Sequence, residues 1–246
     1  MGTISRKQRE IEERERRLLG VAREMLIEHG YAGLGMDRLA EATEYSKGTI
    51  YLHFSSKEDL VAALLIESCG QRLALFDRAR QFQGRTRERM LAFAIADNLF
   101  AHLQPHHFRS EQVIRWADLE ARASEKRRQT LLEQDRCIIR WVMEIVEIAV
   151  AGKDLVLERG QSVGGVVFSL YSMVIGSHWA MLNFPHLLKE MRVSEPFESL
   201  RNSMHSMLDG LRWFPLRGEW DYDQTIQRVC REIFPHESRD AGLAGG

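Results

Sequence analysis

The sequence predicts an all-α protein with two domains, and four observations support this prediction. The 246 residues include only five prolines, and apolar residues recur along the chain at helical spacings of three and four. No Asn-Gly dipeptide or alternating hairpin pattern indicates paired strands. Residues 36–60 place two short helices, a tight link and the start of a third helix in one segment, which is typical of a helix-turn-helix.

The first helix is expected over residues 5–29. Residues 6–17 alternate Arg and Glu, and we interpret them as a solvated helix surface with i,i+4 pairs in preference to a DNA-contacting arm. Gly30 supplies a C-terminal stop, and the apolar face comprises Leu18, Ala22, Met25, Leu26 and His29.

The second and third helices form the helix-turn-helix. Apolar residues at helical spacing over residues 36–40 indicate the second helix, and residues 43–45 form the turn. Ser46 is a favourable N-cap for a third helix that runs to Phe54. Ile50 and Phe54 are four residues apart, so both are expected to point into the core.

The outward side of the third helix carries hydrogen-bond donors and one small residue. Such groups suit the phosphates and base edges of DNA. Tyr45 in the turn and Lys57 at the start of the next helix extend the same surface. The candidate DNA-binding residues are therefore Tyr45, Lys47, Gly48, Thr49, Tyr51, His53 and Lys57.

The rest of the chain is predicted to be helical. A long helix over residues 57–83, capped by Ser56, is expected to link the two domains, with Gly84 at the boundary. Further helices are predicted over residues 86–103, 106–119, 124–151, 161–183, 195–213 and 223–234. The expected domains are an N-terminal three-helix helix-turn-helix domain, a C-terminal helical bundle and a disordered tail, over residues 1–56, 57–235 and 236–246.

Residues 161–188 contain no Asp, Glu, Lys or Arg, and this length is sufficient to cross a bilayer. Polar side chains such as Ser169 and Asn183 interrupt the apolar character, and Pro185 ends the run. We therefore favour a helix buried on most sides over a membrane span. Small residues on this helix permit close approach of another helix, and the next helix carries an apolar stripe of Phe197, Leu200, Met204, Met207, Leu208 and Leu211.

A cavity for a small molecule is a further candidate site. Tyr171 and His178 are seven residues apart and would place polar groups on an apolar wall. Each of the residues concerned is, taken singly, more often part of a core. The candidate ligand-binding residues are Phe93, Trp116, Trp141, Phe168, Tyr171 and His178.

No metal, cofactor or enzymatic activity is expected. His102 and His106 have the spacing of shared metal ligands on a helix, but Pro105 lies between them and should break that helix. The chain contains none of the GxSxG, GxxxxGK[ST] or HExxH motifs. Its three cysteines lie far apart without CxxC spacing, which favours inert thiols in a reducing compartment.

Net charge gives no support for nucleic-acid binding. The formal charge of the chain is −1, and residues 1–60 contain ten Lys and Arg against eleven Asp and Glu. The position of basic residues at the starts of helices therefore matters more for DNA binding than the net charge of the domain. The first seventeen residues lack the apolar stretch of a signal peptide, so we expect a cytoplasmic protein.

Residues 14–65 resemble the amino-terminal DNA-binding domain of the TetR/AcrR family of transcriptional regulators. The resemblance implies a homodimeric regulator, most often a repressor, that binds a palindromic double-stranded DNA operator. It also implies that the carboxy-terminal domain dimerises through its last two main helices and binds a small-molecule effector, which we expect to be apolar. The motif residues are Ser46-Lys47-Gly48-Thr49-Ile50-Tyr51, His53-Phe54 and Lys57-Glu58-Asp59-Leu60.

Two departures from the family pattern bear on the predicted geometry. The family usually has a small residue, Gly and an aliphatic residue in the turn, where this chain has Thr43, Glu44 and Tyr45. Either a non-Gly residue adopts positive φ at a cost of about 1 kcal/mol, or the geometry of the turn differs. Gly35 replaces the Ser or Thr that begins the second helix, so a phosphate contact there would depend on backbone N–H groups alone.

The mechanism that the resemblance implies is control of spacing. Two recognition helices enter successive major grooves about 34 Å apart, and a ligand that shifts the helix over residues 57–83 would change that separation. The alternative function is a helical-bundle protein that binds an apolar ligand or a membrane surface through residues 161–188.

Overall fold

The computed structural model describes residues 6–114 and 123–241, and all regular secondary structure in these ranges is α-helical. The helices are α1 (Arg6–Gly33), α2 (Met36–Thr43), α3 (Lys47–His53), α4 (Lys57–Ala79), α5 (Thr86–Leu103), α6 (Pro105–Ile114), α7 (Glu125–Ala151), α8 (Val163–Asn183), α9 (Pro185–Glu190), α10 (Pro196–Gly210), α11 (Tyr222–Glu232) and α12 (Glu237–Asp240). The all-α prediction is confirmed.

The chain divides into two compact units. Unit one comprises Met1–Gly70 and Pro105–Gln134, and unit two comprises Gln71–Gln104 and Asp135–Gly246. The boundaries therefore fall inside α4, between α5 and α6, and inside α7. This division differs from the predicted domains, because residues 57–70 and 105–134 group with the amino-terminal helices.

Unit one has a small apolar core, and the helix-turn-helix is part of it. Nine apolar side chains of this core, from α1 to α4, are fully buried, and each contributes on the order of 1 to 3 kcal/mol of burial free energy depending on its size. The set comprises Leu18, Ala22, Leu26, Leu39, Ile50, Phe54, Leu60, Val61 and Leu64. It includes both predicted inward residues of α3 and three of the five predicted for the apolar face of α1. Of the other two, Met25 is partly buried and His29 is exposed, so the prediction is wrong for His29.

The turn between α2 and α3 contains a strained residue. Glu44 has φ 58° and ψ 23°, which is the left-handed region that favours glycine. This conformation lets the amide of Tyr45 donate to the carbonyl of Ala40 at 3.1 Å and end α2. Of the two possibilities that the sequence left open, the structure has the strained turn.

Unit two is organised around a fully buried arginine. Arg87 of α5 has 0% relative exposure, and its guanidinium pairs with Asp209 at 2.6 Å. It also donates to the carbonyl oxygens of Trp213 at 2.8 Å and Pro215 at 3.0 Å. The indole N–H of Trp213 in turn donates to the hydroxyl of Thr86 at 2.9 Å. These contacts hold the segment after α10 against the start of α5.

The structure corrects two of the sequence predictions about helices. The predicted end of the helix at residue 183 matches the end of α8, but the short helix α9 was not predicted; Pro185 begins it, because proline is favourable at the first helical position. Residues 236–241 were assigned to a disordered tail. They contain α12, whose Glu237 pairs with Arg78 of α4.

Replacing Glu44 by Gly should stabilise unit one. Removing left-handed strain gains about 1–2 kcal/mol, and the added freedom of the unfolded chain costs about 0.4–1 kcal/mol. The net gain should be roughly 0.5–1 kcal/mol in the free energy of unfolding, measured by denaturant titration. Glu44→Gln, which removes the charge but keeps Cβ, is the control. An equal gain in both variants would assign the effect to charge and contradict the strain.

Candidate nucleic-acid interface

The third helix is fixed by its two ends and by one buried face. The hydroxyl of Ser46 accepts the amide hydrogen of Thr49 at 3.1 Å, which is an N-cap. At the other end the amide of Phe54 donates to the carbonyl of Ile50 at 3.0 Å. Both Ile50 and Phe54 are fully buried. The predicted limits of this helix are therefore confirmed.

The outermost line of α3 is formed by Gly48 and Leu52. These residues are four apart, so they lie above one another on the side opposite Ile50. Leu52 is 86% exposed and Tyr51 is 51% exposed. Leu52 is not among the predicted DNA-binding residues, because it carries no hydrogen-bond donor, although its position relative to Ile50 places it on the outward side of the helix. An exposed leucine at this position suits the methyl group of thymine.

The glycine at position 48 is not required by the packing of the protein. A Cβ built there would meet only the hydroxyl oxygen of Ser46, at 3.8 Å. Its φ lies outside the left-handed region, and glycine inside a helix costs about 0.5–1 kcal/mol relative to alanine. A residue that costs stability and fills no internal need is typical of a surface that another molecule approaches closely.

Lys47 is held by a neighbouring carboxylate on the exposed surface. Its ammonium group lies 2.8 Å from Asp37 of α2, and both side chains are about two-thirds exposed. The hydrogen bond and the charge of Asp37 raise the pKa of Lys47, so this side chain carries its positive charge. A phosphate that binds Lys47 would replace Asp37 as its ionic partner.

Tyr45 is bracketed by two arginines of α1. The guanidinium carbons of Arg14 and Arg17 lie 5.7 and 5.9 Å from the centre of the Tyr45 ring. Tyr45 immediately precedes the cap residue Ser46, so these positive charges stand beside the start of α3. The run over residues 6–17 was interpreted as a solvated surface without a specific role. Arg14 and Arg17 are the part of it that adjoins the candidate interface.

A concave surface that encloses a volume of about 430 Å³ lies at the start of α2. Gly35 is the N-cap of α2 and makes no side-chain hydrogen bond. The first backbone N–H groups of a helix attract anions when no side chain caps them. That a phosphate contact at Gly35 would depend on backbone N–H groups stays a prediction, and the carboxylate of Asp37 also lines this surface. The surface is lined by Ala32, Gly33, Leu34, Gly35, Met36, Asp37, Arg38 and Tyr51.

Two of the predicted DNA-binding residues face the protein instead. The His53 side chain is 6% exposed, and its Nδ1 lies 3.4 Å from Glu15. Position 53 is three residues after Ile50 and therefore shares the inward side of α3, so its predicted outward orientation is wrong. The amino group of Lys57 donates to the carbonyl of Tyr31 and lies 4.0 Å from the centre of the Tyr31 ring. Burial lowers the pKa of Lys57.

The structure does not assemble the predicted ligand-binding wall. Phe93 lies in the core of unit two, whereas Phe168 is 70% exposed. Phe168 is two residues from both Val166 and Leu170, whose side chains are buried, and it therefore points away from the core. Tyr171 is also exposed, at 44%. The prediction of one shared cavity is wrong for these residues.

The other members of that set have separate surroundings. His178 is fully buried, and its Nε2 lies 3.2 Å from Asp97. Trp141 is half-buried, with the guanidinium carbon of Arg80 4.7 Å from its ring centre. Trp116 lies outside the described residues.

Helix α8 is more exposed than the sequence predicted. Its apolar window is only 17% buried, and by length and composition it is the one helix among the described residues that is able to cross a membrane. The exposed stripe runs along one face and includes Gly164, Phe168, Gly176 and Trp179. The expectation of a helix buried on most sides is wrong for the single chain, because no helix within residues 6–114 and 123–241 covers this face.

Helix α10 also presents small residues on its exposed face. Met204 and Leu208 of the predicted apolar stripe are buried within unit two. Met207 and Leu211 pack against the same core, so four of the six residues of the stripe belong to the intrachain core, which was the alternative left open by the sequence. The exposed face of α10 carries Ser199, Ser203, Ser206 and Gly210.

The geometry of residues 36–54 defines a helix-turn-helix of the DNA-binding class, and sequence comparison identifies its family. The family model for bacterial regulatory proteins of the tetR family matches residues 18–64. The transcriptional repressor AcnR of Corynebacterium glutamicum is 44% identical over 54 residues, which are 22% of this chain and 29% of that protein. Residues 18–64 are therefore similar to the amino-terminal DNA-binding domain of TetR-family regulators. The matches span about a third of the length of the curated relatives.

Solved structures extend the likeness of fold to most of the chain. A tetR-family regulatory protein from Rhodococcus RHA1 has a TM-score of 0.62 at 16% identity, covering 80% of this chain and 96% of that one. FadR of Bacillus subtilis, solved in complex with stearoyl-CoA, has a TM-score of 0.58 at 16% identity, covering 76% and 94%. At these identities the comparison establishes the fold alone.

Gly48→Ala should separate stability from DNA binding. The added methyl group should raise the free energy of unfolding by about 0.5–1 kcal/mol. Because the methyl group would occupy space that the DNA atoms lining the groove need, it should also weaken operator binding by about tenfold, measured by fluorescence anisotropy. Gly20→Ala in α1, whose Cβ meets nothing within 4 Å, is the matched control and should leave DNA affinity unchanged. Equal affinities of Gly48→Ala and the wild type would show that α3 does not approach DNA at this position.

Proposed function

We propose that this protein is a homodimeric transcriptional regulator that binds a pseudo-palindromic DNA operator and releases it when a small apolar effector binds. The observation that carries the proposal is the outward side of α3, where Lys47, Gly48, Thr49, Tyr51 and Leu52 combine charge, hydrogen-bond donors and a flat backbone surface. Donors bind phosphates and base edges, while the glycine allows the helix to enter a major groove.

Repression is the proposed sign of regulation. A protein that occupies an operator blocks transcription by its presence alone, whereas activation needs a further contact with the transcription machinery. The relative AcnR is a repressor, whereas the relative FasR of Mycolicibacterium smegmatis, 43% identical over 54 residues, is an activator, so the proposed sign depends on the argument from occupancy. We expect the protein to act in the cytoplasm, where its operator lies.

An apolar effector is supported by the composition of unit two and by one relative of the same fold. Unit two contains a large cluster of buried aliphatic and aromatic side chains, beside buried polar residues such as Arg87 and His205. FadR, which shares the fold, was solved with stearoyl-CoA. Effector and operator would then be linked, so that each weakens the binding of the other by the same factor.

Dimerisation is proposed to use the exposed faces of α8 and α10. The two helices contact each other within unit two, and both present small residues outward. Small residues let helices from a second copy approach closely, and Phe168 and Trp179 supply apolar area to bury. The dimer matters for function because two recognition helices must be about 34 Å apart to enter successive major grooves.

Selection from a random duplex library tests the proposed function directly. The purified protein should enrich sequences with two inverted half-sites whose centres are about one helical turn, or 10 base pairs, apart. Binding should weaken steeply with salt, because phosphate contacts release counterions. Recovery of unrelated sequences, with no common half-site after several rounds, would contradict a sequence-specific regulator.

Phe168→Glu should convert the dimer to a monomer. The residue is 70% exposed in the single chain, so the substitution should leave the melting temperature of the protomer nearly unchanged. Burying the new charge in an apolar interface is unfavourable by several kcal/mol, and sedimentation should therefore show a monomer with weakened operator binding.

Val156→Glu, at an apolar position 64% exposed and outside α8, is the control and should remain a dimer. A dimeric Phe168→Glu protein would place the interface elsewhere. Recovery of the wild type in the membrane fraction would favour the alternative, in which α8 binds a membrane surface.

A further inference from the structure

A polar cluster at the C-terminal end of α3 joins four elements of unit one. Its centre is Arg127, in the first turn of α7, whose side chain is 16% exposed. The guanidinium donates to Glu15 Oε1 of α1 at 3.1 Å and to the carbonyl oxygen of His53 at 3.2 Å. It also pairs with the carboxylate of Asp59 in α4. Arg127 therefore contacts α1, α3 and α4 at once.

Asp59 is the second centre of the cluster. Its side chain is 3% exposed, and its two oxygens accept the amide hydrogens of Ser55 and Ser124, each at 3.0 Å. Its own amide donates to the hydroxyl of Ser56 at 3.0 Å, which caps α4. Burial opposes ionisation of this carboxyl, but the hydrogen bonds from Ser124 and Ser55 and the charge of Arg127 keep its pKa below the ordinary value. Asp59 thus links the end of α3, the start of α4 and the start of α7.

The contact with α3 has both a polar and an apolar part. The carbonyl of His53 is one of those that a helix leaves without a backbone partner at its C-terminal end, and a positive charge there is favourable. The guanidinium carbon of Arg127 also lies 5.0 Å from the ring centre of Phe54, the fully buried residue that ends α3. Arg127 therefore fixes the last turn of α3 from two directions.

We propose that Arg127 is a positioning residue for DNA binding, which ties the first turn of α7 to the last turn of the recognition helix and sets the orientation of α3. The proposal rests on the proposed function of α3. The polar atoms that Arg127 directs at Asp59, Glu15 and His53 are engaged within the protein, so it acts through α3 and makes no phosphate contact. Since α7 is one continuous helix of 27 residues, a displacement of its first turn acts on α3 through this side chain.

The test compares Arg127→Lys, Arg127→Ala and Lys126→Ala in the full-length protein. In Arg127→Lys the positive charge is kept, but a lysine cannot bridge three acceptors in a plane. Lys126→Ala is the control, because Lys126 is exposed in the same turn and its replacement removes the same charge as Arg127→Ala. Affinity for the selected operator is measured at several salt concentrations. Wild-type binding to that operator is the condition for the comparison, and its absence would count against the proposed function itself.

We expect Arg127→Ala to weaken operator binding by about tenfold and Arg127→Lys by at least about threefold, because the bridging geometry is lost in both. The salt dependence should stay at the wild-type slope, since no phosphate contact is removed, and Lys126→Ala should change affinity by less than about twofold. An Arg127→Lys protein with wild-type affinity would overturn the proposal. If the slope of log affinity against log salt concentration falls by about one in Arg127→Ala, Arg127 is a phosphate contact, and the proposal is overturned.

Hydrogen exchange provides a readout that does not depend on DNA. In folded Arg127→Lys, the amides of Phe54, Ser55 and Ser124 should exchange about tenfold faster, while the amide of Leu39 in α2 should keep its protection. If Arg127→Ala does not fold, the lysine variant carries the test alone. Unchanged exchange at Phe54 and Ser55 would show that Arg127 does not hold α3 and would overturn the proposal.

Discussion

The candidate interface depends on the one-sided burial of a very short helix. Isolated helices below about 12 residues are marginal in water, and α3 has seven. Its existence and its direction therefore come from its neighbours, through the burial of Ile50 and Phe54 and the cap at Ser46. Helical geometry couples the two sides, so burying these residues turns Gly48 and Leu52 outward. Any contact that holds the end of α3, such as that of Arg127, then also controls the surface offered to DNA.

Electrostatics acts locally in this protein, since its net charge is −1. The positive groups that matter stand beside α3, namely Lys47 and the pair Arg14 and Arg17. In the free protein Asp37 neutralises Lys47, so binding a phosphate exchanges one ionic partner for another. The net gain of such an exchange is small on an exposed surface, which leaves shape and donor geometry a larger share of the affinity.

Local signals predicted the helices well, and long-range contacts explain what was missed. The limits of α5 matched the sequence prediction at both ends, and Ser46 correctly marked the start of α3, because caps and spacing act over a few residues. Arg127 meets its partners across 68 to 112 residues of sequence, and no local pattern reports such contacts. The exposure of Phe168 could not be predicted either, since apolar composition does not say whether a covering helix belongs to the same chain. His53, in contrast, was predictable from its spacing to Ile50.

Photo-crosslinking from position 52 tests most directly whether the outward line of α3 lies in a DNA groove. A photoreactive residue in place of Leu52 should crosslink to bases of the selected operator, at two positions about one helical turn apart. The same residue in place of Leu132, which is 44% exposed on α7, should give no base crosslinks. Base crosslinks from position 132 with none from position 52 would contradict the assignment of α3 as the recognition helix.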